Sequence, residues 1–195
     1  MTNHDKRNCV RKRILCVLRK TLIITLIAAV LAGTALAANP LGVSRIKQSY
    51  SKWCWAACCQ MMGYFVTPTT GPSQAAVVYN IFGNYSDSVA SDAQIVTSLN
   101  FAVNKASYQA NASTFSTVKG FIDSGRAMIF KITWTSGGGN HAVICDGYNS
   151  TGSTVRLIDP WESCATTYYG YDALLMGTAI QSGTGYLVKY FYHST

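Results

Sequence analysis

Residues 47–65 read KQSYSKWCWAACCQMMGYF, and the fold turns on which of their three cysteines is placed to react. From Ser51 to Phe65 the run is almost uncharged and apolar on all sides, the pattern of a helix buried in the centre of a domain. Ser51 is the predicted N-cap, which puts Cys54 in the first turn. There the helix dipole and free backbone N–H groups favour a thiolate. Cys58 and Cys59 lie deeper in the same helix and lack that advantage.

Beyond this helix the chain changes character. TPTTGPS (residues 67–73) reads as a loop, Gln74 to Phe82 as a short helix, and weaker helical signals fall near Ala93 to Leu99 and Phe115 to Asp123. The second half consists of β-rich runs, AMIFKITW, HAVICDGY, TVRLIDPW and GYLVKYFY, separated by turns. Short connections at Gly137 to Gly139 and at Asn149 to Ser153 fit hairpins. A helical half followed by an antiparallel sheet is an α+β pattern with room for a cleft between the layers.

The opening 37 residues carry a basic stretch, then LIITLIAAVL, then AGTALA before Ala38. This is the anatomy of a secretory signal peptide, with cleavage expected after Ala37. Its removal takes seven of the 16 basic residues and one of the eight acidic ones, leaving nine against seven. Most of the formal charge of +8 therefore belongs to the leader, and a nucleic-acid partner loses its main support. Residues 38–195 are expected to form one domain, a secreted or periplasmic monomer with no stable membrane association once the leader is gone. Five cysteines remain: Cys54, Cys58, Cys59, Cys145 and Cys164. In an exported chain an odd count suggests two bridges and one free thiol.

Thiol catalysis needs a cysteine, a histidine to exchange its proton, a group to orient that histidine, and donors for an oxyanion. After the leader only His141 and His193 remain, and His193 is near the chain end. His141 is thus the candidate base. Along its strand His141, Val143 and Cys145 share one face, and Asp146 points with Ala142 and Ile144 to the other. Asp159, ending the next strand in LIDPW, is preferred as the orienting carboxylate. Gln48, six residues before Cys54, is placed to join the Cys54 backbone N–H as an oxyanion donor. The sequence offers no metal-ligand spacing, and the chemistry needs no cofactor.

Gln48 followed by Cys54-Trp55-Ala56-Ala57 resembles the active-site signature of papain-like cysteine proteases. It is most similar to the compact bacterial branch, which includes plant-pathogen effector proteases and C39-like peptidase domains. GGGNHAVICDGY is similar to that group's segment around the catalytic histidine, and LIDPW to the segment carrying the third triad member. Asn140, where the group has glycine, departs from the pattern. The resemblance implies a papain-like fold, with Cys54 as nucleophile, His141 as acid and base, Asp159 as orienter and Gln48 as oxyanion donor. Trp161 matches a tryptophan that shields the histidine pair from water. A peptide or protein substrate is implied.

Two bridges are then expected, Cys58 to Cys145 and Cys59 to Cys164, since Cys58 is one turn below Cys54 and Cys145 one step below His141. Two other functions are open to this apparatus: amide hydrolysis or acyl transfer on non-protein substrates such as peptidoglycan, and a catalytically inactive binding or toxin module.

Overall fold

The computed structural model describes residues 40–195. The leader and its cleavage point after Ala37 lie outside the described residues. The central helix, α1 (Cys54–Val66), buries Trp55 to Cys59 and Met61 to Gly63. It starts later than the sequence suggests. Trp53 occupies the N-cap without a capping side chain, because Ser51 Oγ is used instead on Asp87 Oδ2 at 2.7 Å. Cys54 is therefore the first helical residue. The helix stops at Thr67, whose N–H donates to the Gly63 carbonyl at 2.7 Å, and Pro68 disfavours a further turn.

Two more helices pack on α1. In α2 (Gln74–Phe82) Ser73 caps the Ala76 N–H and Gly83 closes the end in the left-handed region at φ 66°. In α3 (Asp92–Val103) Ser91 and Gln94 form a capping box, the reciprocal arrangement that satisfies two otherwise orphan donors. α1 and α3 approach closely at Gly63, where an added Cβ would lie 2.9 Å from the Ala102 carbonyl oxygen and 2.9 Å from Pro72 Cδ.

The remaining elements are β1 (Ser107–Asn111), α4 (Phe115–Asp123), β2 (Met128–Trp134), β3 (Asn140–Asn149), β4 (Thr154–Ile158), β5 (Thr167–Gly170), α5 (Tyr171–Met176), β6 (Thr178–Ile180) and β7 (Gly183–His193). The strands form one antiparallel sheet in the order β1-β7-β2-β3-β4-β5, with β6 paired to β7. This is the expected α+β fold, with the two hairpins in place.

Strand alternation gives the sheet two apolar faces. Ile129, Ala142, Ile144, Ile158 and Phe191 pack with α1, α2 and α3. Met128, Phe130, Val143, Cys145 and Leu157 pack with α4 and α5 through Val118, Ile122 and Leu174. Each fully buried large apolar side chain contributes about 1.5–3 kcal/mol, so both layers are firmly held.

The alternation corrects the cysteine pairing. Cys58 belongs to the first core and Cys145 to the second, so the sheet stands between them. All five described cysteines are free thiols, and neither expected bridge, Cys58 to Cys145 or Cys59 to Cys164, is formed. The face that α1 covers is that of Ala142 and Ile144, whereas Val143 and Cys145 face the other core.

Candidate active site

Two indoles fix the N-terminus of α1. Trp53 Nε1 donates to the Ser86 carbonyl at 3.0 Å and Trp55 Nε1 to the Ser88 carbonyl at 3.1 Å. Asp87, between them, accepts from the Lys52 N–H at 2.8 Å. The polar loop 84–90 is thus strapped across the start of the helix. No side chain caps this end, so the first-turn N–H groups, beginning with that of Cys54, remain available as donors.

A second set of contacts brings the third strand's histidine to this point. His141 lies at the start of β3, beyond the last β3–β4 pair, Ile144 with Ile158. Where β4 ends, the chain continues as Asp159-Pro160-Trp161 and runs past His141. His141 Nε2 meets Asp159 Oδ1 at 2.8 Å, with both side chains about 95% buried. Asp159 also accepts from the Trp161 N–H at 2.9 Å and from Ser182 Oγ at 2.6 Å. Arg45 binds the backbone behind it, through the Asp159 carbonyl at 2.7 Å and the Trp161 carbonyl.

Electrostatics follow from this packing. Burial alone would lower the pKa of His141, but hydrogen bonds with Asp159 and Cys54 and the charges of both push it up to about 9. Burial would raise Asp159, and the His141 contact with the Ser182 and Trp161 donors holds its carboxyl below the usual range. The imidazolium is therefore favoured in this setting. Cys58, fully buried below, has its thiol pushed well above the ordinary value by burial and by its neighbours Cys54, Cys59 and Asp159. Burial likewise raises Cys59 and Cys145. These are inert thiols, since the reactive form is the thiolate.

Cys54, His141, Trp161 and Ser182 line a cleft of about 360 Å³ between the start of α1 and the rim of the sheet. The structure thus brings Cys54, His141 and Asp159 together. Asp146, the other aspartate near His141 in sequence, is engaged elsewhere: Arg156 Nη1 reaches both its oxygens and the Val43 N–H one of them.

Gln48 is placed differently from the expectation. Its Nε2 donates to the Tyr50 carbonyl at 2.8 Å and the Ser51 carbonyl at 2.9 Å. A primary amide carries two hydrogens, so both are committed to the loop ahead of Cys54. The Gln48 backbone N–H pairs with the Pro160 carbonyl at 2.9 Å, tying the cysteine and aspartate segments. Gln74 fixes the flanking residues, donating to the Lys47 carbonyl and accepting from the Ser49 N–H.

Trp161 meets the His141 ring edge-on at 6.4 Å and is 41% exposed. The flat cover is Trp134, stacked on His141 at 5.4 Å with the planes 18° apart. Trp134 and Ser182 were not legible as site residues. Trp134 offered one signal, its place just before the turn of the hairpin that carries His141. Ser182 lies in the β6–β7 turn, and nothing in its local sequence announces Asp159, just beyond β4, as its partner.

Among the described residues no group of three or more His, Cys, Asp or Glu side chains is placed to hold a metal. No helix among them is long and apolar enough to cross a membrane.

A buried helix that opens with a cysteine, packed on an antiparallel sheet whose rim carries a histidine and aspartate pair, defines a papain-like domain of the cysteine peptidase type. The chain belongs to the Peptidase_C39 like family, whose model matches residues 40–181. Among solved structures it is similar to one from Bacillus anthracis, provisionally described as a C39-like peptidase, at 11% identity and a TM-score of 0.53, covering 80% of this chain and 96% of that one. At that identity the likeness speaks for the fold. No curated protein matches.

Proposed function

We propose that this chain is an exported cysteine peptidase that hydrolyses peptide bonds through Cys54, His141 and Asp159. The observation that carries the reading is the buried 2.8 Å contact of His141 Nε2 with Asp159 Oδ1 in a cleft that Cys54 also lines. The proton shared by Cys54 and His141 rests on the imidazole, and the Cys54 thiolate attacks the peptide carbonyl carbon. The oxyanion is received by the uncapped N–H of Cys54. Gln48 joins it on releasing the Tyr50 carbonyl. His141 then protonates the departing amine, leaving a thioester. A water gives its proton to His141, attacks the thioester and frees the acid and the Cys54 sulfur. Asp159 keeps the imidazole oriented and stabilises its charged form, while Trp134 and Trp161 limit water around it.

In this reading the leader is removed after Ala37, the mature chain works as a monomer in the periplasm or outside the cell, and its partner is a peptide or protein substrate. Profiling a peptide library by mass spectrometry with the mature protein and with Cys54→Ala tests it. Cleavage is expected from the first only. Equal cleavage by Cys54→Ala overturns the nucleophile. Release of fragments from purified sacculi, with no peptide cleaved, moves the substrate to cell-wall amides.

A further inference from the structure

The cleft that Cys54 lines carries an uneven set of charges. Among the described residues that line it, the charged side chains besides His141 are Lys52 and Lys131, and no carboxylate is among the lining residues. Lys131 projects from β2 toward α3, where its Nζ lies 2.6 Å from Asp92 Oδ1. The other oxygen of Asp92 is taken by Lys189 Nζ from β7, at 2.9 Å. Two ammoniums thus share one carboxylate, at the first residue of a helix whose dipole is positive at that end.

Burial would raise the Asp92 carboxyl, yet the two lysines hold it below its ordinary range. Asp92 remains ionised and fully engaged, and one positive charge is left over at the wall. Lys189 also makes Lys131 releasable, because Asp92 keeps a partner when Lys131 turns to something else. An ammonium has three hydrogens to give, and Lys131 is the member of this cluster that reaches the cleft.

We propose that Lys131 selects substrates with an acidic side chain close to the scissile bond, acting as a specificity residue for the peptide cleft. The inference rests on the reading of this cleft as a peptidase site. Position along the substrate follows from register. Lys131 pairs across the sheet with Ala142, the residue after His141. Neighbouring strands lie about 5 Å apart and an extended peptide advances about 3.3 Å per residue. The carboxylate therefore belongs within about three residues of the bond to be cut. Apolar members of the same wall, Ala90, Ile95 and Ala142, lower the water content around the pair and strengthen the charge-assisted contact.

The test uses the mature chain as Cys54→Ala, so that binding is read without turnover, on a positional-scanning peptide library in which every Asp or Glu member has its Asn or Gln twin. At one position the acidic twin is expected to bind at least about tenfold tighter, the scale of one charged hydrogen bond. Added Lys131→Met should abolish that ratio, and Lys131→Arg should keep most of it, with thermal melts showing that each variant is folded. Lys52→Met should leave the ratio standing. Equal binding of the twins at every position overturns the proposal, as does a preference that survives Lys131→Met or vanishes only with Lys52→Met. An acidic preference that depends on Lys131 in a protein that cleaves none of these peptides upholds the binding inference and overturns the peptidase reading.

Discussion

His141 sits under two opposed influences. Burial between Trp134 and the sheet rim disfavours its charge, while Asp159 and Cys54 favour it and prevail, carrying the pKa from 6.5 up to about 9. The sign has two consequences. A folded pKa above the unfolded one contributes stability that is complete below about 6.5 and is lost as pH rises through about 9. The imidazolium that protonates the leaving amine is lost over the same alkaline range, so kcat/KM for peptide cleavage should fall as pH passes about 9. Replacing Asp159 by Asn removes the largest raising influence and leaves burial in command. Titration of the His141 Cε1 proton by NMR should then give a midpoint below that of the wild type, and kcat/KM should drop about 10²-fold or more. An unchanged midpoint in Asp159→Asn would show that the 2.8 Å contact does not govern the proton.

At the scale of elements, α1 does two jobs, filling the core and presenting Cys54 at its free end, and Gly63 links them. The helix lies against α3 so closely that a methyl group there meets the Ala102 carbonyl and Pro72. Gly63→Ala should therefore destabilise by about 1–3 kcal/mol despite alanine's better helix propensity. Gly120, exposed in α4 with nothing within 4 Å of an added Cβ, is the control, where alanine should stabilise by about 0.5–1 kcal/mol. Chemical denaturation of both variants checks the pair, and the same sign for both would contradict the packing. The comparison also marks what was legible. The apolar run of α1, the span of α2 and strands β2, β3, β4 and β7 follow directly from the sequence pattern. β1, β5, β6 and α5 do not, because their exposed or mixed residues carry weak periodicity; the strands gain their structure from pairing with β7 and β4, and α5 from burying Tyr171 and Leu174. The start of α1 differs from the local expectation because a carboxylate distant in sequence, Asp87, claims the Ser51 hydroxyl.

Over the whole molecule, the site joins both layers: the nucleophile candidate comes from the helical layer, the histidine and aspartate from the sheet, and the segment from Leu41 to Gln48 stitches them. Its Leu41 N–H reaches the Asp146 carbonyl, Val43 the Asp146 side chain, Arg45 the Asp159 carbonyl and Gln48 the Pro160 carbonyl. Sequence order conveyed the triad candidates because each stands in a distinctive local run, whereas the facing of the two cores is a global property that local runs do not carry. The cysteines show the difference. An odd thiol count in an exported chain suggested two bridges, yet a sheet separates Cys58 from Cys145, and thiols buried as deeply as Cys58, Cys59 and Cys145 are held protonated. Oxidation proceeds through the thiolate, so in the folded chain these buried thiols are poor partners for a bridge. If the chain is exported as proposed, the protein denatured without reductant in the presence of iodoacetamide should therefore take up five carbamidomethyl groups on a chain whose intact mass begins at Ala38. Uptake of one group would instead establish two bridges and overturn the free-thiol reading, with Cys145 the expected free member because the sheet separates it from Cys58. A mass that includes residues 1–37 would keep the leader on the working protein and make it an anchored enzyme.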